Sequence, residues 1–265
     1  EIARYAPRQH WLFIGQWGKP LYTALACLPS QFGFIGIKLF NVACAITTAW
    51  LSFLMARNQF EKLSWLSILF VLSVPIYFVT ALTGLTETVF GLCIMSSVYL
   101  FHRFHERWAC VVISFLPFIR SEGFLILPLF ALLCLYYRRW QALFFLGTGV
   151  ALFTLIGLVY TGNWNWVFGT NVYLPKPTDY GHGSIFHFFI NHRFTFGWPY
   201  SILVLVGILG FIAGFIRQWN NRELHIQSVL VFGALFVYFM AHTAFWTLGI
   251  FGSAGLDRVM AGVGP

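Results

Sequence analysis

Apolar blocks approaching the roughly 20 residues that cross a bilayer alternate along the chain with short polar links, most of them basic. Residues 34–56 form the first block, closed by the link Arg57-Asn58-Gln59-Phe60-Glu61-Lys62. Further spans are predicted at 65–82, 88–101, 143–160, 200–216 and 228–250. Ahead of them, residues 1–33 mix Arg4, Arg8, His10 and Lys19 with Tyr5, Trp11, Phe13 and Trp17, the pattern of an external, interfacial segment.

Residues 108–137 need a separate reading. One helix of that length would reach about 45 Å against a hydrocarbon core of about 30 Å. Pro117, Gly123 and Pro128 would interrupt it and Arg120 and Glu122 would be stranded inside. Two short helices meeting at Arg120-Ser121-Glu122-Gly123, a re-entrant or short-helix hairpin, are predicted instead. Basic residues test the choice: with the hairpin, Arg57/Lys62, Arg103/Arg107, Arg138/Arg139 and Arg217/Arg222 share one side, which the positive-inside rule makes cytoplasmic. The other side then receives the Thr83-to-Glu87 turn, the Arg120 turn, a long external loop at 161–199 and the tail from Phe251. That loop carries Trp164, Trp166, Tyr173, Tyr180, His182, His187 and His192, too aromatic for a plain linker.

Composition agrees with the pattern: 59% of residues are hydrophobic, only 9% are charged, and the mean hydropathy is +0.76. The expected fold is all-α, a polytopic transmembrane bundle forming one domain over 1–265, without internal repeats. The net charge of +8 is spread through short loops and not clustered beside exposed aromatics, so no nucleic-acid partner is expected. Cys27, Cys44, Cys93, Cys110 and Cys134 lie singly, without the spacing of a zinc site, and His182, His187 and His192 recur every five residues, off the spacing of a helical metal pair. No metal ligands are assigned, and a divalent-metal requirement stays open. Opening at Glu1 and stopping at Pro265 just after a charged pair, the chain reads as a piece of a longer protein.

An ionisable side chain at the centre of a membrane helix costs roughly 2.5–3.5 kcal/mol on insertion scales, so it is kept where it binds or reacts. Glu87 opens a predicted span and reads either as a helix-start acid, with Thr83 or Thr86 as local cap, or as a polar anchor in an external cavity. Arg120 and Glu122 lie in the outer half of the membrane and read either as a mutual ion pair or, because at i, i+2 they do not share a helix face, as residues that each have another partner, the reading preferred. His242 reads as an interhelical hydrogen-bonding residue or a functional one, and Arg258 as a snorkelling arginine, a partner of Asp257, or a phosphate ligand.

The succession Trp17-Gly18-Lys19-Pro20-Leu21-Tyr22, Leu82-Thr83-Gly84-Leu85-Thr86-Glu87-Thr88-Val89-Phe90, Ile119-Arg120-Ser121-Glu122-Gly123 and Gly252-Ser253-Ala254-Gly255-Leu256-Asp257-Arg258 resembles the C-type (GT-C) membrane glycosyltransferases. It is most similar to bacterial relatives of the protein O-mannosyltransferase and aminoarabinose transferase group. The resemblance implies transfer of a sugar from a polyprenyl-phosphate donor to a lipid, glycan or protein acceptor on the outer face of a bacterial inner membrane. It implies substrate-binding roles for Lys19, Glu87, Arg120, Glu122, His242 and Arg258, with Arg258 on the phosphate and Arg120 or Lys19 as second choices. In that family an acidic motif of the first external loop serves the catalytic base; here only Glu1 precedes Trp17, so the motif is expected upstream and the catalytic residue stays unassigned. A secondary transporter would place its charges near the midplane and show related halves, and a scaffold subunit would leave the outer charges unexplained.

Overall fold

The computed structural model describes residues 1–58, 61–169, 180–217 and 221–264. Tyr173 and the Gln59-Phe60 pair of the first polar link therefore lie outside the described residues. Among those described every regular element is a helix, and there is no strand.

Among the described residues three helices are long and apolar enough to cross a membrane: Gly33–Arg57, Trp140–Thr161 and Arg222–Leu248. Shorter apolar helices are Glu87–His102, Ser121–Tyr136 and Gly197–Gly210. Glu87–His102 is the axis of the bundle, packed between Gly33–Arg57 and Glu106–Ser114, with Asp257–Val263 across its start. Phe90, Val98 and Phe101 on this helix are buried, and Phe90 and Phe101 meet the rings of Tyr238 and Phe130. The outer faces are apolar too: Phe34, Ile35, Leu39, Ile46 and Trp50 are exposed along Gly33–Arg57, and Ile202, Leu205, Val206 and Leu209 along Gly197–Arg217. Apolar surface on that scale needs lipid or a partner to cover it.

The predicted hairpin is present. Glu106–Ser114 climbs, a 3₁₀ turn at Leu116–Phe118 ends the ascent, Arg120 is extended (φ −152°, ψ 136°), and Ser121–Leu125 with Leu127–Tyr136 leads back. Gly123 allows the crossing: a Cβ there would stand 2.6 Å from the Leu116 carbonyl carbon and the Pro117 nitrogen. The hairpin also brings Cys110 and Cys134, read from the sequence as isolated, to a sulfur–sulfur distance of 3.5 Å; all five thiols are free.

The span expected at 65–82 is not one helix. It divides into Leu66–Ser73 and Pro75–Ala81, with Val74 extended between them (φ −61°, ψ 117°). Pro75 has no N–H to donate and its ring pushes the preceding residue out of helical geometry, so the helix ends and restarts with proline in its first turn.

Polar links that are distant in sequence gather at one end of the bundle. Asn58 Nδ2 is 3.1 Å from His102 Nε2, and Glu106 Oε1 meets Arg139 Nε at 3.4 Å and Arg222 Nη2 at 3.2 Å. The residues singled out as candidate chemistry collect at the other end.

Candidate functional site

Glu87 is the first residue of Glu87–His102, but its carboxylate does not cap that helix. Thr86 makes no side-chain cap bond, and the Thr83 hydroxyl donates to the Thr80 carbonyl at 2.6 Å. Glu87, almost fully buried at 1% exposure, instead accepts from Arg120 Nη1 at 2.9 Å. The same nitrogen reaches the Thr86 hydroxyl at 3.3 Å.

The other guanidinium nitrogen of Arg120 donates to Glu122 Oε1 at 2.8 Å. This corrects the expectation drawn from i, i+2 spacing on a helix. Arg120 is extended and Glu122 follows in a 3₁₀ turn, and that bend folds the two side chains onto each other. Arg120 also has the further partner that was expected, Glu87, whereas Glu122 Oε1 lies 3.9 Å from His242 Nε2, beyond hydrogen-bond reach. A planar guanidinium between two carboxylates uses the fork geometry that a lysine lacks. Glu87 Oε2, Arg120 Nε and His242 Nε2 are buried without a hydrogen-bond partner among the described residues.

These groups open onto a cavity of about 1780 Å³. Lys19, Glu87, Arg120, Glu122, His242 and Arg258, the six residues singled out from the sequence, all line it. Its apolar walls include Trp17, Phe124, Tyr180, Phe245 and Phe251.

Two cations on the wall differ in state. Lys19, just before the Pro20–Ser30 helix, has φ 60°, a left-handed conformation that a side chain disfavours. Its Nζ donates to the Ser121 hydroxyl at 2.8 Å. Burial, reinforced by the Arg120 charge and opposed by Glu122, lowers its pKa to about 8. Arg258, in the 3₁₀ helix Asp257–Val263, is exposed, and its side chain makes no ion pair or hydrogen bond among the described residues. Asp257 does not pair with it: the carboxylate faces His187 Nε2 at 3.8 Å. His187 Nε2 also lies 2.8 Å from the Gly255 carbonyl, so the 161–199 loop holds the segment that carries Arg258. Gly255 itself, at φ +62°, lies against the Trp246 indole, where a Cβ would come within 2.8 Å. Among the described residues no three His, Cys, Asp or Glu side chains group as metal ligands would.

Sequence reasoning missed the supports of the site. Asn41, fully buried in Gly33–Arg57, donates from Nδ2 to the carbonyls of Thr83 at 2.7 Å and Leu85 at 2.9 Å. The Tyr22 hydroxyl donates to the Gly84 carbonyl at 2.9 Å. Together they pin the turn that presents Glu87. An asparagine in the middle of an apolar 25-residue helix was the available signal.

The family model for glycosyltransferase family 87 matches residues 20–246, most of the chain. The matched range contains Glu87, Arg120, Glu122 and His242 and leaves Lys19 and Arg258 outside. No curated protein and no solved structure matches the chain.

Proposed function

The chain belongs to glycosyltransferase family 87, and from that premise we propose that it moves a sugar from a polyprenyl-phosphate donor to an acceptor at the non-cytoplasmic face of the membrane. The observation that carries this reading is the convergence of the Glu87–Arg120–Glu122 network and two further cations, Lys19 and Arg258, on one cavity at the end of a membrane-type bundle.

In the reaction, an acceptor oxygen bonds to the anomeric carbon as the bond from that carbon to the phosphate oxygen breaks. Polyprenyl phosphate leaves with the electron pair, and the acceptor proton passes to a base. Negative charge grows on the departing phosphate, so fixed cations lower the barrier most where they meet it. Arg258 is assigned that role because its planar donors have no ion pair or hydrogen bond among the described residues, with Lys19 second. Arg120 is spent on two carboxylates and acts as their positioning residue. Glu122, and His242 Nε2, which has no hydrogen-bond partner among the described residues, are offered to sugar or acceptor hydroxyls, while the enclosed Glu87 holds Arg120. The aromatic wall offers faces on which sugar rings or an isoprenoid chain pack.

Orientation follows from charge. Arg57, Arg103, Arg107, Arg138, Arg139 and Arg222 lie in the links at the end away from the cavity, which the positive-inside rule assigns to the cytoplasm, leaving the cavity outside. The test is to incubate the full-length protein in proteoliposomes with a panel of polyprenyl-phosphate sugars and to measure released polyprenyl phosphate. Release with one of them is expected; turnover with nucleotide sugars alone would overturn the donor assignment.

A further inference from the structure

At the end of the bundle opposite the cavity, two turns face each other across a second pocket of about 700 Å³, lined by residues 104–108 and 138–142. Glu87–His102 separates the two sites: its 16 residues span about 24 Å at the helical rise. All three membrane-length helices have an end here. Trp140, the first residue of Trp140–Thr161, is part of the pocket wall; Arg222, the first of Arg222–Leu248, bonds Glu106; and Asn58, just after Gly33–Arg57, contacts His102. The pocket thus lies at a membrane–water boundary, and its exposed Phe104, Trp108 and Trp140 are the aromatic types that settle there.

Its charge is one-sided. Arg107, Arg138 and Arg139 line it against a single carboxylate, Glu106, which is already shared by Arg139 and Arg222. Arg107 is steered by a hydrogen bond to Gln141. Arg138 makes no side-chain hydrogen bond or ion pair among the described residues, and it holds a left-handed φ of 55° that a glycine would adopt without cost. Phe104, on the opposing turn, has φ 63°. Two strained turns presenting cations and aromatic rings to one concave space are more than the basic links that orientation alone requires.

We infer that this pocket binds the phosphate of an anionic lipid headgroup in the leaflet opposite the candidate catalytic cavity. The ligand chemistry is a phosphate group met by guanidinium forks, with the acyl chains lying along the apolar face below. The inference rests on this pocket alone and not on the donor assignment.

The experiment is native mass spectrometry of the full-length protein, with phosphatidylglycerol, phosphatidylcholine or inorganic phosphate added to the delipidated sample. Phosphatidylglycerol should be retained in preference to phosphatidylcholine. Arg138→Gly and Arg139→Gln should each weaken that retention about fivefold, the equivalent of about 1 kcal/mol per basic residue at an anionic surface. Arg57→Gln, at the same end but off the pocket wall, should leave it unchanged. Arg138→Gly also relieves the left-handed backbone, so its thermal midpoint should hold or rise while lipid is lost. Equal weakening by Arg57→Gln would reduce the effect to diffuse surface charge and overturn the site. Displacement of phosphatidylglycerol by an equal concentration of inorganic phosphate would overturn the lipid and leave free phosphate as the ligand.

Discussion

Arg120 Nη1 stands 2.9 Å from Glu87 Oε1 although the two residues are 33 positions apart, and the pair ties the tip of the hairpin to the start of the central helix. Its burial divides the work of the two carboxylates. Glu87 is enclosed and holds the architecture, whereas Glu122 shares the same arginine from a more open place on the cavity wall.

Substitutions should separate these roles. Arg120→Ala leaves two carboxylates uncompensated and should destabilise by about 3–5 kcal/mol, read as a lowered unfolding midpoint in detergent. Glu122→Gln should keep the midpoint near wild type and lose most of the transfer activity. Glu87→Gln should lose stability and activity together. Parallel losses of both in Glu122→Gln would make that carboxylate purely structural.

Asn41→Leu removes both donors to the turn before Glu87. It leaves the Thr83 and Leu85 carbonyls without that partner, at a cost of about 1–3 kcal/mol. The expected signature is a lower unfolding midpoint with reduced activity, partly restored by Asn41→Gln if the longer side chain still reaches one carbonyl. An unchanged midpoint in Asn41→Leu would show that the turn holds itself.

Lys19 gives a pH dependence with opposite signs for binding and stability. Its folded pKa of about 8 lies below the ordinary value of 10.5, so the folded state binds fewer protons between these limits. The penalty for burying the charge is fully present below pH 8, and stability recovers as pH rises from about 8 toward 10.5. Donor affinity should move the other way, falling as the ammonium is lost above about pH 8. In Lys19→Arg the affinity should stay flat across that window, and a wild-type-like fall there would assign the titration to another group.

Arg258→Ala should weaken donor binding more than acceptor binding, by roughly ten- to a hundredfold, in line with about 1.5–3 kcal/mol for hydrogen bonds to a charged group. Arg258→Lys should keep part of the affinity, since charge survives but the planar fork does not. Unchanged donor affinity in Arg258→Ala would leave the residue as an interfacial anchor and move the phosphate to Lys19.

Cysteine accessibility tests the orientation. Arg103→Cys and Arg138→Cys should label with an impermeant reagent only from the cytoplasmic side, and Tyr180→Cys and Ser253→Cys only from outside. Labelling of Arg138→Cys from outside would break the charge-based topology.

The sequence by itself determined the class of the molecule, because apolar length and scarcity of charge are properties of composition and order alone. It also located the hairpin: Pro117, Gly123 and Pro128 act on the backbone locally, whatever packs around them. The same local rule at Pro75 was legible but unused, so one predicted span is two helices. Glu87, Arg120, Glu122, Arg258 and His242 were legible as polar groups in or against apolar stretches, and Lys19 through the family resemblance; the presence of the first five in one cavity follows from where polar groups are tolerated. Only the tertiary structure decided their partners. Arg120 joins Glu87 across the bundle, Glu122 folds back through an extended residue, Asp257 turns to His187 and not to Arg258, and Asn41 reaches a turn 42 positions away. Hydrogen bonds and ion pairs act over about 3 Å and depend on direction, and spacing along a chain specifies neither until the helices have crossed.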